Sequence, residues 1–195
     1  MPRKLEYTMS YDASCADVFA MMSDEAYVGL KITGTGGSDP DIEVSHVGSD
    51  VIVVAGRTLP AQVPAIAKKF TGDNIRVHET ARWSPADEFG ARTAAVELIF
   101  ERTPGKAVGT LNLHPVGDGG CAVDVDFTVR APVPLIGGKL EDVITHQMNR
   151  AVRQENKIGV QWLVDHGITP APDAPDTPDA PGGTDTPPGA AGATP

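Results

Sequence analysis

From Lys139 to His166 the chain has no proline and one internal glycine, Gly159. Leu140, Ile144, Met148, Ala151, Val152, Ile158 and Trp162 recur there with the 3.6-residue period of a single helix face. At about 1.5 Å per residue such a helix spans roughly 40 Å. A small sheet touching it at one end would leave most of that stripe in water. The stripe needs a concave apolar surface along its whole length, and the rest of the chain must supply it.

The upstream sequence reads as strands. Lys4–Tyr11 alternates, with Leu5, Tyr7, Met9 and Tyr11 on one face and Glu6, Thr8 and Ser10 on the other. Ser14 then caps a short helix with Asp17 at its third position, and Val18, Phe19 and Met22 follow at helical spacing. A second short helix covers Asp24 to about Lys31, ended by the glycines at 34, 36 and 37. Six strand-like runs come next: Ile42–Val47, Val51–Leu59, Ile75–Trp83, Thr93–Arg102, Ala107–Val116 and Cys121–Arg130. Tight turns at Gly48-Ser49-Asp50, Pro104-Gly105 and Gly117–Gly120 make the runs they join antiparallel, because parallel pairs need a long crossover. The connection over 60–72 is longer, with room for one helical turn.

Strand period assigns the inward faces. Besides Tyr7 and Met9 they carry Val77, Glu79 and Trp83, then Ala94, Val96, Leu98 and Phe100, then Leu111 and Leu113, then Val123, Val125 and Phe127. Asp124 and Asp126 face water, a solvated pair with no histidine beside it. Ile144, Met148 and Ala151 lie on the helix stripe, and Glu155 falls within it. A carboxylate turned inward is costly unless paired, hydrogen-bonded, solvated or protonated. Glu79 and Glu155 therefore stand at a cavity mouth or meet a polar partner such as Arg82, Arg92, Tyr7 or Tyr11; otherwise the phase slips and they are plain surface residues.

An order of strand, two short helices, six strands and a long helix resembles the helix-grip fold of the START-like (SRPBCC) superfamily. More narrowly, the chain is similar to an actinobacterial family, the domain of unknown function 2505. Residues 7–19 (YTMSYDASCADVF), 129–141 (VRAPVPLIGGKLE) and 155–163 (ENKIGVQWL) carry the resemblance, the second being the most specific. It implies an α+β fold in which a seven-stranded curved antiparallel sheet holds a long C-terminal helix over an apolar cavity. Sixteen of the residues named above would line that cavity: Tyr7, Met9, Val77, Glu79, Trp83, Val96, Leu98, Phe100, Leu111, Leu113, Val125, Phe127, Ile144, Met148, Ala151 and Glu155. The resemblance carries over no catalytic residue.

Other features narrow the function. With 26 acidic and 16 basic residues the formal charge is −10, which disfavours nucleic acid and anionic membranes as general partners. Arg57, Lys68, Lys69 and Arg82 read as ordinary solvated surface. No apolar run is long enough for stable membrane insertion, and no export signal opens the chain, so the expected location is the cytoplasm. Cys15 and Cys121 fit a reducing compartment, Cys121 as a small buried hydrophobe. The five histidines, at 46, 78, 114, 146 and 166, show no ligand spacing, so neither metal nor cofactor is expected. The glycines at 34–37 follow a helix, not a strand, and make no phosphate cradle. Residues 169–195 contain eight prolines and no aromatic, branched aliphatic or basic residue, so the expected domain is 1–168 with a disordered tail.

The expected function is binding of a hydrophobic or amphipathic small molecule, lipid- or polyketide-like, in the internal cavity. The alternatives are an interaction or structural module whose cavity is filled by its own side chains, and a cyclase- or aromatase-like enzyme.

Overall fold

Alternation and turn chemistry resolve into ten elements in a computed structural model that describes residues 2–61, 72–101 and 105–168. They are β1 (Arg3–Tyr11), α1 (Cys15–Met22), α2 (Glu25–Gly34), β2 (Ser38–Val47), β3 (Asp50–Pro60), β4 (Asn74–Trp83), β5 (Arg92–Phe100), β6 (Lys106–Val116), β7 (Gly120–Arg130) and α3 (Gly137–Asp165). The helical turn expected within 60–72 and the tail expected over 169–195 fall outside the described residues. All strands join one antiparallel sheet in the order β1-β7-β6-β5-β4-β3-β2. The fold is α+β with the START-like helix grip, and α3 lies across β1 and β7 and against α1 and α2.

Local chemistry sets the element ends. The Ser14 hydroxyl accepts from Asp17 N–H at 3.2 Å, and the Asp24 carboxylate accepts from the N–H groups of Ala26 and Tyr27, capping α1 and α2. Helix α2 runs three residues past Lys31, because Gly36 takes φ +90° and the Gly37 N–H closes back on the Ile32 carbonyl at 2.9 Å. Helix α3 starts at Gly137, two residues earlier than its stripe suggests. There the Gly137 N–H donates to the Val133 carbonyl at 2.8 Å, and a Cβ on Gly137 would overlap the Ala131 carbonyl. The buried Glu141 carboxylate accepts from the Ala131 N–H at 3.1 Å and ties the first turn of α3 to the end of β7.

Gly159, the one glycine within the span of the α3 stripe, permits a close approach. A Cβ there would stand 2.8 Å from the Tyr11 ring and 3.1 Å from the Met21 methyl. The C-terminal half of α3 is thus clamped on β1 and α1, and Trp162 meets Tyr27 edge-to-face at 5.7 Å. Glycine at 109 has the same logic within the sheet: a Cβ would overlap the Asp126 carbonyl and stand 2.8 Å from the Phe127 ring. Gly109→Ala is expected to cost about 2–3 kcal/mol by forcing β6 and β7 apart. Urea unfolding measures it, and a loss under about 0.5 kcal/mol would contradict that close packing.

Candidate functional site

The inward faces of β3, β4 and β5 and the N-terminal half of α3 do not meet. A cavity of about 130 Å³ remains, walled by Leu59, Pro60, Ile75, Val77, Leu98 and Phe100 from the sheet and Leu140, Val143, Ile144, Met148 and Ala151 from the helix. Thr35, Arg57 and Gln147 add its polar atoms. Beside it lies a more open hollow of about 580 Å³ between α3 and the ends of α2 and β3.

The sixteen residues expected to line a cavity divide into three groups. Val77, Leu98, Phe100, Ile144, Met148 and Ala151 stand in its wall. Met9, Trp83, Val96, Leu113, Val125 and Phe127 are buried within the core, and half-buried Tyr7 and Leu111 pack against it. Around these eight residues the sheet fills its own concavity, and the cavity lies toward the β3–β5 side of the grip. Glu79 and Glu155 form the third group, inside an ion cluster.

That cluster gathers four elements. Lys31 of α2 places its Nζ 3.2 Å from Glu79 Oε1 on β4 and 3.4 Å from Glu155 Oε1 on α3. Arg57 of β3 donates through Nη1 to Glu79 Oε2 at 2.7 Å. All four side chains are 14–18% exposed. Arg57 belongs to both cluster and cavity wall, so the quartet adjoins the cavity through that side chain. Burial pushes the Glu79 carboxyl up, but Lys31 and Arg57 outweigh it and hold it at about 2. Burial pulls Lys31 down, and Glu155 with Glu79 more than reverses that. Among the described residues Glu155 has only Lys31 within ion-pair distance; burial, with Glu79 adding, raises its pKa above the ordinary carboxylate range. The hydroxyls of Tyr11 and Tyr27 are held protonated by burial and by the field of Glu155.

These contacts correct the expected partners. Arg82 alternates with inward Ala81 and Trp83, so it faces out and reaches Asp50 at 3.2 Å. Arg92 stacks 3.8 Å over Phe19, and Tyr7 lies under Arg153 at 4.9 Å. Arg57, read as solvated surface, is a half-buried ion partner instead, because it continues the inward set Val51, Val53 and Ala55. Lys31 was missed although it sits beside Tyr27, Val28 and Ile32 on the buried face of α2. A second correction concerns Asp124: the β6–β7 register brings His114 Nε2 to 3.0 Å from it, while Thr8 donates to it at 2.6 Å. No group of three or more potential metal ligands gathers among the described residues. No helix among them is long and apolar enough to cross a membrane.

A family model described as "Protein of unknown function (DUF2505)" matches residues 6–163. An uncharacterized protein of Mycobacterium tuberculosis is 24% identical over 174 residues, covering 85% of this chain and 99% of its own. Among solved structures, a protein from Thermus thermophilus superposes with a TM-score of 0.59 at 16% identity, covering 84% of this chain and 99% of that one. A START superfamily protein from Mycobacterium smegmatis gives 0.53 at 14%, covering 82% and 98%. At these identities the likeness is one of fold.

Proposed function

The chain belongs to the DUF2505 family, and from that membership and the site geometry we propose that it binds a small hydrophobic or amphipathic molecule in the cavity between α3 and the β3–β5 face. One observation carries the reading. The helix stripe and the inward strand faces each continue apolar up to the gap, yet about 130 Å³ between them is left unfilled. A cavity of this order can take a benzene-sized guest. A ring, or a short alkyl segment, is therefore the part that enters. Arg57, the member of the quartet that borders the cavity, is already paired with Glu79, so it offers the guest a polar boundary without an unpaired charge.

The test uses octan-1-ol as the probe, followed by calorimetry. Wild-type protein is expected to bind it, and Ala151→Phe, which points a ring into the gap, is expected to weaken binding at least about tenfold. Its thermal midpoint should stay at or above that of wild type, because the ring fills a void. An Ala151→Phe protein that takes up the alcohol as well as wild type does would rule the cavity out as the binding site.

A further inference from the structure

Resting on that reading, we propose that the guest is an anionic amphiphile, its apolar part in the cavity and its carboxylate- or phosphate-type head in a basic vestibule at the mouth. The vestibule is the neighbouring hollow of about 580 Å³. It shares Thr35, Leu59, Pro60, Gln147 and Ala151 with the cavity, so the two spaces adjoin across one wall. Beyond that wall it adds Arg150, Arg153 and Lys157 and, among the described residues, no aspartate or glutamate.

Three observations assign it a ligand sign. The chain carries −10 overall, so a hollow lined by three cations and no acid runs against the composition. Those cations recur at positions 150, 153 and 157, one flank of α3, and among the described residues none of them stands in an ion pair. The one cation in the cavity wall, among the described residues, is Arg57, and Glu79 already engages it, so a charged head drawn inside would lose its water without gaining a free cation. An anionic head therefore stops at the mouth, where Arg150 and Lys157, with Arg153 held against Tyr7 and Asn149 beside them, meet it in partly open surroundings.

Arg150 and Arg153 also border another hollow of about 540 Å³, between α3 and the start of β1, together with Arg3 and Lys4. None of the residues lining that hollow lines the apolar cavity. Lys157 belongs to the vestibule alone and Lys4 to the other hollow alone, which lets the two be told apart.

Octanoate and octyl phosphate, compared with octan-1-ol at neutral pH, test the proposal. At low ionic strength one or both anions should bind about tenfold tighter than the alcohol, and the advantage should fall within about threefold in roughly 0.5 M salt. Which anion gains more identifies the head. In Arg150→Gln/Lys157→Gln the anion's advantage should shrink to within about threefold, whereas Lys4→Gln should leave it intact. Equal binding of alcohol and anions overturns the anionic head while the cavity reading stands. Binding of none of the three removes both. An advantage abolished by Lys4→Gln and kept in the double variant moves the anion to the other hollow and overturns the proposal. So does equal binding with co-sedimentation on anionic vesicles, which would make the basic flank a membrane-facing patch.

Discussion

Trp83→Ala is expected to lower the unfolding free energy by about 3–5 kcal/mol. Trp83 ends β4 at 1% exposure, and its ring meets Phe19 of α1 edge-to-face at 5.6 Å. Arg92 covers the other side of that contact, its guanidinium 3.8 Å above the Phe19 ring while Nη1 donates to the Ser84 carbonyl at 2.9 Å. Removing the indole therefore leaves a large void and withdraws support from the packing of α1 on the sheet. Trp83→Phe keeps a ring at the site and should recover at least half of the loss. Urea unfolding with both variants gives the comparison. A loss below about 1 kcal/mol for alanine would mean that the β4 end is not packed under α1.

The strand and helix periods made the fold legible. Each inward residue of β5, for example, has the phase that alternation assigns, from Ala94 to Phe100. The α3 stripe was legible for the same reason, since one apolar face running most of the length of a 29-residue helix has few places to go. The ends of elements were less so. The start of α3 depends on the Ala131 N–H reaching Glu141, a contact no periodicity carries.

The site was legible only in part, and the reason is geometric. Period tells which way a side chain points; it does not tell whether the surface opposite arrives. Val77 and Val125 have the same inward phase, yet one borders open space and the other is sealed in the core. The ion partners failed differently. Lys31 and Glu79 are 48 positions apart, and only the register of β3 on β4, with Ala55 opposite Glu79, brings Arg57 beside the same carboxylate. Yet both cations lay on inward phases, Arg57 after Ala55 and Lys31 one turn after Tyr27. An inward charge on a neighbouring element is the signal that would have paired them.

That quartet makes the two glutamates unequal, and their amide variants should show it. Glu79→Gln leaves the largely enclosed Arg57 without its carboxylate and Lys31 with Glu155 alone, so it is expected to cost about 3–5 kcal/mol at neutral pH. Glu155→Gln removes a carboxylate whose ionised form burial already disfavours, and Lys31 keeps Glu79, so the change should stay within about 1 kcal/mol. Acid titration separates them by sign. The folded value of Glu79, about 2, lies below its ordinary 4.5, so its contribution is complete above about 4.5 and is lost as pH falls toward 2. Glu155 is shifted the other way. Folding favours its protonation, so its contribution grows as pH falls through its raised value toward the ordinary one. Glu79→Gln should therefore flatten the acid loss of stability between about pH 4.5 and 2, while Glu155→Gln should remove a small gain at higher pH. Unfolding free energies across about pH 2–8 measure both slopes. Equal costs for the two amides at neutral pH, or an unchanged acid limb in Glu79→Gln, would mean that Lys31 and Arg57 do not converge on Glu79 as the geometry has them.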